Sequence, residues 1–122
     1  IWAGGNLALG LFDIIHKLYY LTGPTLASRI DTGEMQPFAG RRAMLRSSRP
    51  RVDGGTPSVA IGRRERVQDN VSYTDAVALN SMGACPVRTS GRYLRGSITT
   101  EAGDTWTHCA GLELDAVQQG LR

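Results

Sequence analysis

Apolar and polar residues alternate most cleanly near the end of the chain. Leu112, Leu114 and Ala116 fall on one face and Glu113 and Asp115 on the other, the period of two that marks a strand with one buried side. Upstream, Arg92-Tyr93-Leu94-Arg95 opens a second alternating arm, with Ile98 on the face of Leu94, and the small polar run Glu101-Ala102-Gly103-Asp104 lies between the arms. This spacing predicts two antiparallel strands joined by a flexible turn. Val59 and Ile61 alternate in the same way with Ala60 and Gly62.

Glycines and prolines cut the remainder into short segments, at Gly23-Pro24, Gly33, Gly40, Pro50, Gly54-Gly55, Gly83 and Gly91. Strands are predicted at Asn6–Phe12, Lys17–Leu21, Thr25–Asp31, Arg42–Ser47, Pro57–Arg63, Val71–Thr74, Pro86–Thr89, Arg92–Thr99 and Thr105–Val117, the last with a break near Gly111. Short strands so spaced point to an all-β domain, an antiparallel β-sandwich of jelly-roll type. One segment reads two ways. Leu11, Ile14, Ile15, Leu18 and Tyr19 fall at helical spacing, with Asp13 as an early acidic residue and Gly23 as a stop, which would make one short helix near residues 11–21. The β-branched and aromatic content and the neighbouring segments favour strand.

The 122 residues suit a single domain over residues 1–122 with one modest core. The apolar, Trp-containing start without a Met suggests the terminal part of a longer chain. No apolar run approaches the roughly 20 residues of a membrane-spanning helix, and no membrane partner is expected. The net charge is +3, with thirteen Arg and only Lys17 as lysine. Arg tolerates partly dry interfaces and pairs with carboxylates, so the bias fits packing against neighbours or nucleic-acid contact; base composition of the genome would give it equally. Arg41, Arg42, Arg46, Arg49 and Arg51 form one basic cluster and Arg63, Arg64 and Arg66 another. Each reads first as a solvated face and second as a surface for an acidic or phosphate partner. No aromatics are interleaved to stack single-stranded bases. Cys85 and Cys109 read as free, mostly buried thiols.

Candidate chemistry is sparse. Ile30-Asp31-Thr32-Gly33 resembles the aspartic protease motif, and Ala60-Ile61-Gly62-Arg63 the second motif of the retroviral-type members. Paired aspartates across a dimer share a proton and activate water. Here Glu34 follows the glycine and the two motifs stand too close together, so a peptidase using Asp31 is a remote alternative. His16, His108, Cys85 and Cys109 lack metal-ligand spacing, and no nucleophile elbow or phosphate-binding glycine loop occurs. No cofactor is expected. Trp2, Tyr73, Tyr93 and Trp106 read as core or interface anchors.

A wider pattern runs through the chain: Gly23-Pro24, Asp31-Thr32-Gly33-Glu34, Gly40-Arg41-Arg42, Arg49-Pro50-Arg51-Val52-Asp53-Gly54, Val59-Ala60-Ile61, Arg64, Asn80, Gly83, Ser90-Gly91-Arg92-Tyr93, Trp106-Thr107-His108 and Gly111-Leu112-Glu113-Leu114. As a set, from about Asn6 to Gly120, it resembles the C-terminal part of tail proteins from short-tailed phages, of the nozzle, tail-tube or stabilisation kind. Arg51 stands where those proteins have a hydrophobic residue. The resemblance implies a non-enzymatic virion protein, assembled in the host cytoplasm, that forms a ring with its copies and contacts other virion proteins, with at most indirect contact with packaged DNA. Interface candidates are then Arg41, Arg42, Arg49, Arg51, Arg92, Tyr93 and Trp106. A capsid cement protein and a receptor- or glycan-binding tail module are the alternatives.

Overall fold

A computed structural model describes residues 9–20 and 23–120. It contains ten strands and, among the described residues, no helix: β1 (Gly10–Phe12), β2 (Leu18–Tyr20), β3 (Ser28–Asp31), β4 (Ala43–Val52), β5 (Ser58–Arg64), β6 (Ser72–Tyr73), β7 (Val77–Ala78), β8 (Thr89–Gly91), β9 (Tyr93–Thr100) and β10 (Cys109–Gln118). They form three antiparallel sheets. One is the β1–β2 hairpin, one is ordered β10-β4-β8, and the largest is ordered β3-β9-β5-β6 with β7 also on β5. The two larger sheets face each other as an all-β sandwich. Ala43 and Leu45 of β4, Val59 and Ile61 of β5, Leu94 and Ile98 of β9, and Cys85 and Val87 before β8 make the buried cluster. Each large aliphatic side chain there contributes on the order of 1.5–3 kcal/mol.

The expected alternation holds in β10. Leu112, Leu114 and Ala116 pack against the core, while Glu113 and Asp115 are exposed. The expected break appears as a bulge. Between Cys109 and Leu112 β10 carries one residue more than its partner, and Gly111 takes φ 134°, a conformation open to glycine. A second bulge puts Arg46 opposite the Asp115–Ala116 step. β4 also runs past its expected end at Ser47. β8 pairs with Ala43–Leu45 and Cys85 bridges Ser48; beyond Ser48, where Pro50 falls, that edge has no strand partner among the described residues, and a residue without an N–H is tolerated.

The predicted pairing of the last two arms is overturned. β9 lies between β3 and β5, so both its edges are occupied, and β10 pairs with β4 in the opposite sheet. Glu101–His108 is therefore a crossover between sheets. Gly103 makes its bend at φ 89° and donates its amide to the Thr25 carbonyl at 2.8 Å. The sheets approach closely at one point. A Cβ on Gly96 of β9 would lie 2.1 Å from Leu112 Cδ2, so the bare glycine is the seat on which Leu112 rests.

The helical alternative over residues 11–21 is also corrected, with residue 21 outside the described residues. Gly10 pairs with Tyr20, Leu11 with Tyr19 and Phe12 with Leu18. Asp13 caps a turn instead of a helix. Its Oδ1 accepts the Ile15 and Lys17 amides at 2.8 and 2.9 Å, and His16 completes the bend at φ 62°. The residues predicted as strand at 6–8 likewise lie outside the described residues.

Candidate assembly surfaces

The β1–β2 hairpin is the least conventional surface. In a hairpin lying on a core, one face is apolar and the other polar. Here Leu11 and Tyr19 share one face and Phe12, Leu18 and Tyr20 the other, by the cross-strand register, and all five are exposed. At the tip Ile14 is 98% exposed, with Ile15 beside it. Tyr20 extends across Gly10, where a Cβ would meet its ring at 3.6 Å. Among the described residues β1 and β2 pair only with each other, and an isolated two-stranded hairpin is marginally stable in water. Contiguous apolar surface of this kind is uncommon on a soluble monomer. Sequence reading found these residues but assigned them no role. With both faces apolar, the two-residue period disappears and helical spacing emerges by coincidence.

Most of the clustered arginines stand in ion pairs. Arg42 Nη2 lies 3.0 Å from Glu65 Oε1, and Arg92 Nε lies 3.9 Å from Glu65 Oε2. Two predicted interface residues, fifty positions apart, thus meet on one carboxylate. Arg42 also donates to Ser90 Oγ at 3.2 Å. A shallow groove of ≈ 370 Å³ opens here, lined by Arg42, Arg63, Arg64, Glu65, Asp69, Asn70 and Ser72. Arg49 and Arg51 lie elsewhere, on the outer face of β4. Arg51 Nε is 3.6 Å from Glu113 and Arg46 Nη2 is 3.2 Å from Asp115, while Arg49 stands in register with Glu113. Arg41 is exposed in the turn before β4. Tyr93 is half-buried in β9, opposite Arg64. Trp106 is half-buried in the crossover, and its indole N–H finds no acceptor among the described residues. The structure therefore brings Arg42 and Arg92 together on Glu65, sets Arg49 and Arg51 beside Glu113 on the outer face of β4, and places Arg41, Tyr93 and Trp106 elsewhere.

Asp31 sits on the outer face of β3, opposite Ser97. Arg29 Nε donates to its Oδ1 at 2.9 Å. That bond first, and one from Ser97 second, hold the carboxyl below its usual range. A proton-sharing dyad needs one carboxyl raised, whereas Asp31 is kept ionised. Glu34, read in the sequence as a departure from the protease motif, has partners the sequence did not show. Glu34 is gripped by the guanidinium fork of Arg64, through Nε at 2.6 Å and through Nη2, and by Arg95 Nη2 at 3.1 Å. The Arg64 bond is the main cause of its lowered pKa, against partial burial. Beside it, the Arg29 guanidinium lies over the Tyr73 ring, 5.4 Å from the centroid. Gly62 makes room for this layer, since a Cβ there would fall 2.8 Å from Arg95 Cγ and Val71 Cγ1 and 2.9 Å from Tyr73 Cε1.

Asp53 ties the β4–β5 connection to the crossover. Its Oδ1 accepts the Thr107 and His108 amides at 2.8 and 3.1 Å, and its Oδ2 accepts the Thr107 hydroxyl. These bonds, the hydroxyl's foremost, push its pKa far below the ordinary value. His108 is exposed, with Nδ1 3.3 Å from Asp53 Oδ2. Asp104 accepts the Thr56 amide at 3.0 Å in the same region. Among the described residues no three His, Cys, Asp or Glu side chains gather as metal ligands. Both thiols are free, Cys85 in the core and Cys109 half-buried. No protein-family model matches the chain, and neither a curated protein nor a solved structure matches it. The surfaces themselves therefore carry the functional argument. They offer an exposed apolar hairpin and arginines that mostly stand in ion pairs with carboxylates of their own chain.

Proposed function

We propose that this chain is a non-enzymatic structural subunit of a phage virion, a tail component of the nozzle or tube kind that assembles into a ring with its copies and with neighbouring virion proteins. The observation that carries the reading is the β1–β2 hairpin, apolar and exposed on both faces. Such a surface is costly in water and is retained where assembly covers it. The resemblance of the sequence pattern to tail proteins of short-tailed phages supports this kind of assembly. The arginines agree with contact to protein more than to DNA. Arg42, Arg46, Arg51 and Arg92 all stand within 4 Å of carboxylates of their own chain, and phosphate binding would have to compete with those pairs. Asp31, held ionised beside Arg29, lends no support to a peptidase.

The test is copy number in purified, nuclease-treated particles, measured by quantitative mass spectrometry against the major capsid protein. A ring-forming tail subunit is expected on the order of 6 or 12 copies, as cyclic symmetry requires. Hundreds of copies would replace the tail reading with a capsid cement protein. Absence from the particle would overturn the virion reading altogether.

A further inference from the structure

The two large sheets are unequal on one side. β10, the edge of its sheet, lies over β9, as the contact of Leu112 with Gly96 requires. β3 is the next strand along the opposing sheet, and among the described residues no strand faces it. One row of paired residues shows where the cover stops. Val59 of β5 and Ile98 of β9 are 0% and 1% exposed, but Ile30 of β3, on the same inner face, is 37% exposed. Along the same side β10 presents an edge of ten residues that, among the described residues, pairs with β4 alone. Exposed edges of this length attract further strands.

The chain thus carries an uncovered acceptor and an uncovered donor at once. The acceptor is the β10 edge with Ile30 beside it, and the donor is the β1–β2 hairpin. We infer that the hairpin of one copy docks against the β10 edge of a second copy by strand addition, extending the smaller sheet and covering Ile30. This rests on the ring-assembly reading above and names the contact that would build the ring. Size supports a second copy as the occupant. The hairpin exposes Leu11, Phe12, Ile14, Ile15, Tyr19 and Tyr20 by half or more, an apolar surface of the order of the about 800 Å² that each partner brings to a stable interface. Donor and acceptor are different patches, so the contact is head-to-tail. Such contacts repeat from copy to copy and close into rings when the rotation allows.

The test uses the whole purified chain. Native mass spectrometry gives its oligomeric state over a concentration series, and hydrogen exchange follows the β10 amides. Oligomers are expected, with β10 exchange slowing as they form. Phe12→Glu and Ile14→Glu, both at exposed positions, should weaken assembly at least about tenfold and return β10 exchange to the monomer rate, with the circular dichroism of the body unchanged. A monomer at every concentration, oligomers indifferent to both substitutions, or β10 amides that exchange equally fast in the oligomer would each overturn the contact. A solution monomer present in ring numbers in particles would remove this contact alone. Head-to-tail oligomers of a chain absent from particles would leave the contact standing and remove the virion reading.

Discussion

Gly96 is the point at which the distance between the sheets can be measured by substitution. In Gly96→Ala the new methyl would lie 2.1 Å from Leu112 Cδ2, where carbon atoms ordinarily rest about 3.5–4.0 Å apart. Leu112 must retreat by about 1.5 Å or change rotamer, and either movement loosens its packing on the core. Overpacking of this kind costs roughly 1–3 kcal/mol. A 2.1 Å approach puts the cost at the upper end of that range, about 2–3 kcal/mol, and alanine recovers about 0.5–1 kcal/mol by restricting the unfolded backbone, so the net loss should be about 1–2.5 kcal/mol. For a domain of this size that lowers Tm by roughly 5 °C or more. Leu112→Ala alone should also destabilise, by less than the about 2–5 kcal/mol of a fully buried leucine, because Leu112 is only half-buried. In the double variant the methyl at 96 occupies space that Leu112 has vacated. The two losses should then fall short of additivity by about 1 kcal/mol. Urea unfolding followed by circular dichroism gives all four corners of the cycle. A Gly96→Ala protein within about 0.5 kcal/mol of the parent, or strictly additive losses, would refute the argument that β10 is seated on this glycine.

Other outcomes follow from the polar layer and the thiols. Asp31, Glu34, Asp53 and Asp104 all have folded pKa values below their ordinary ones. Their stabilisation is therefore complete above about pH 4–4.5 and is lost as pH falls through the lower folded values. The urea midpoint should hold from neutral pH to about 5 and drop below about 4, and Asp53→Asn should flatten that drop; an unchanged slope would show that the Thr107 clasp contributes nothing. Gly62→Ala should lower Tm by forcing apart Arg95, Val71 and Tyr73, and a Tm equal to the parent's would count against the tight layer. Burial raises the Cys85 thiol pKa, so a thiol reagent should modify Cys109 in the native protein and reach Cys85 only on denaturation; equal rates would contradict the core placement. Asp31→Asn should leave any peptidase activity of the preparation unchanged, and its loss would revive the dyad.

The all-β architecture was legible because it is written in local alternation. Leu112, Leu114 and Ala116 lie against the core as their spacing requires, and Gly111 marks a real irregularity. What the sequence could not show was who pairs with whom. Glu101-Ala102-Gly103-Asp104 has the composition of a hairpin turn, but the same flexibility serves a crossover, and the choice was made by β3 and β5 occupying both edges of β9. β4 outran its expected end because Pro50 fell on an open edge, a fact about its neighbours. The ion pairs were illegible for the same reason. Glu65 joins Arg42 to Arg92, and Glu34 joins Arg64 to Arg95, across separations that no helical or strand period links. The hairpin read almost equally as helix and strand, with strand favoured as the structure has it, because a segment apolar and exposed on both faces has no polar side to reveal its two-residue period.

The pairing of β9 and β10 with much earlier strands has a consequence for how the chain folds. Ser28 meets Thr100 across 72 residues, and Ala43 meets Gln118. Neither large sheet can close until the last strands have been synthesised, and such non-local topologies fold slowly. During translation, at about 5–20 residues per second, the apolar hairpin leaves the ribosome well before the strands that close the body. The nascent chain accordingly carries its stickiest element for seconds with nothing folded behind it. Yield in a foreign host should therefore depend on chaperone capacity more than on the stability of the finished sandwich.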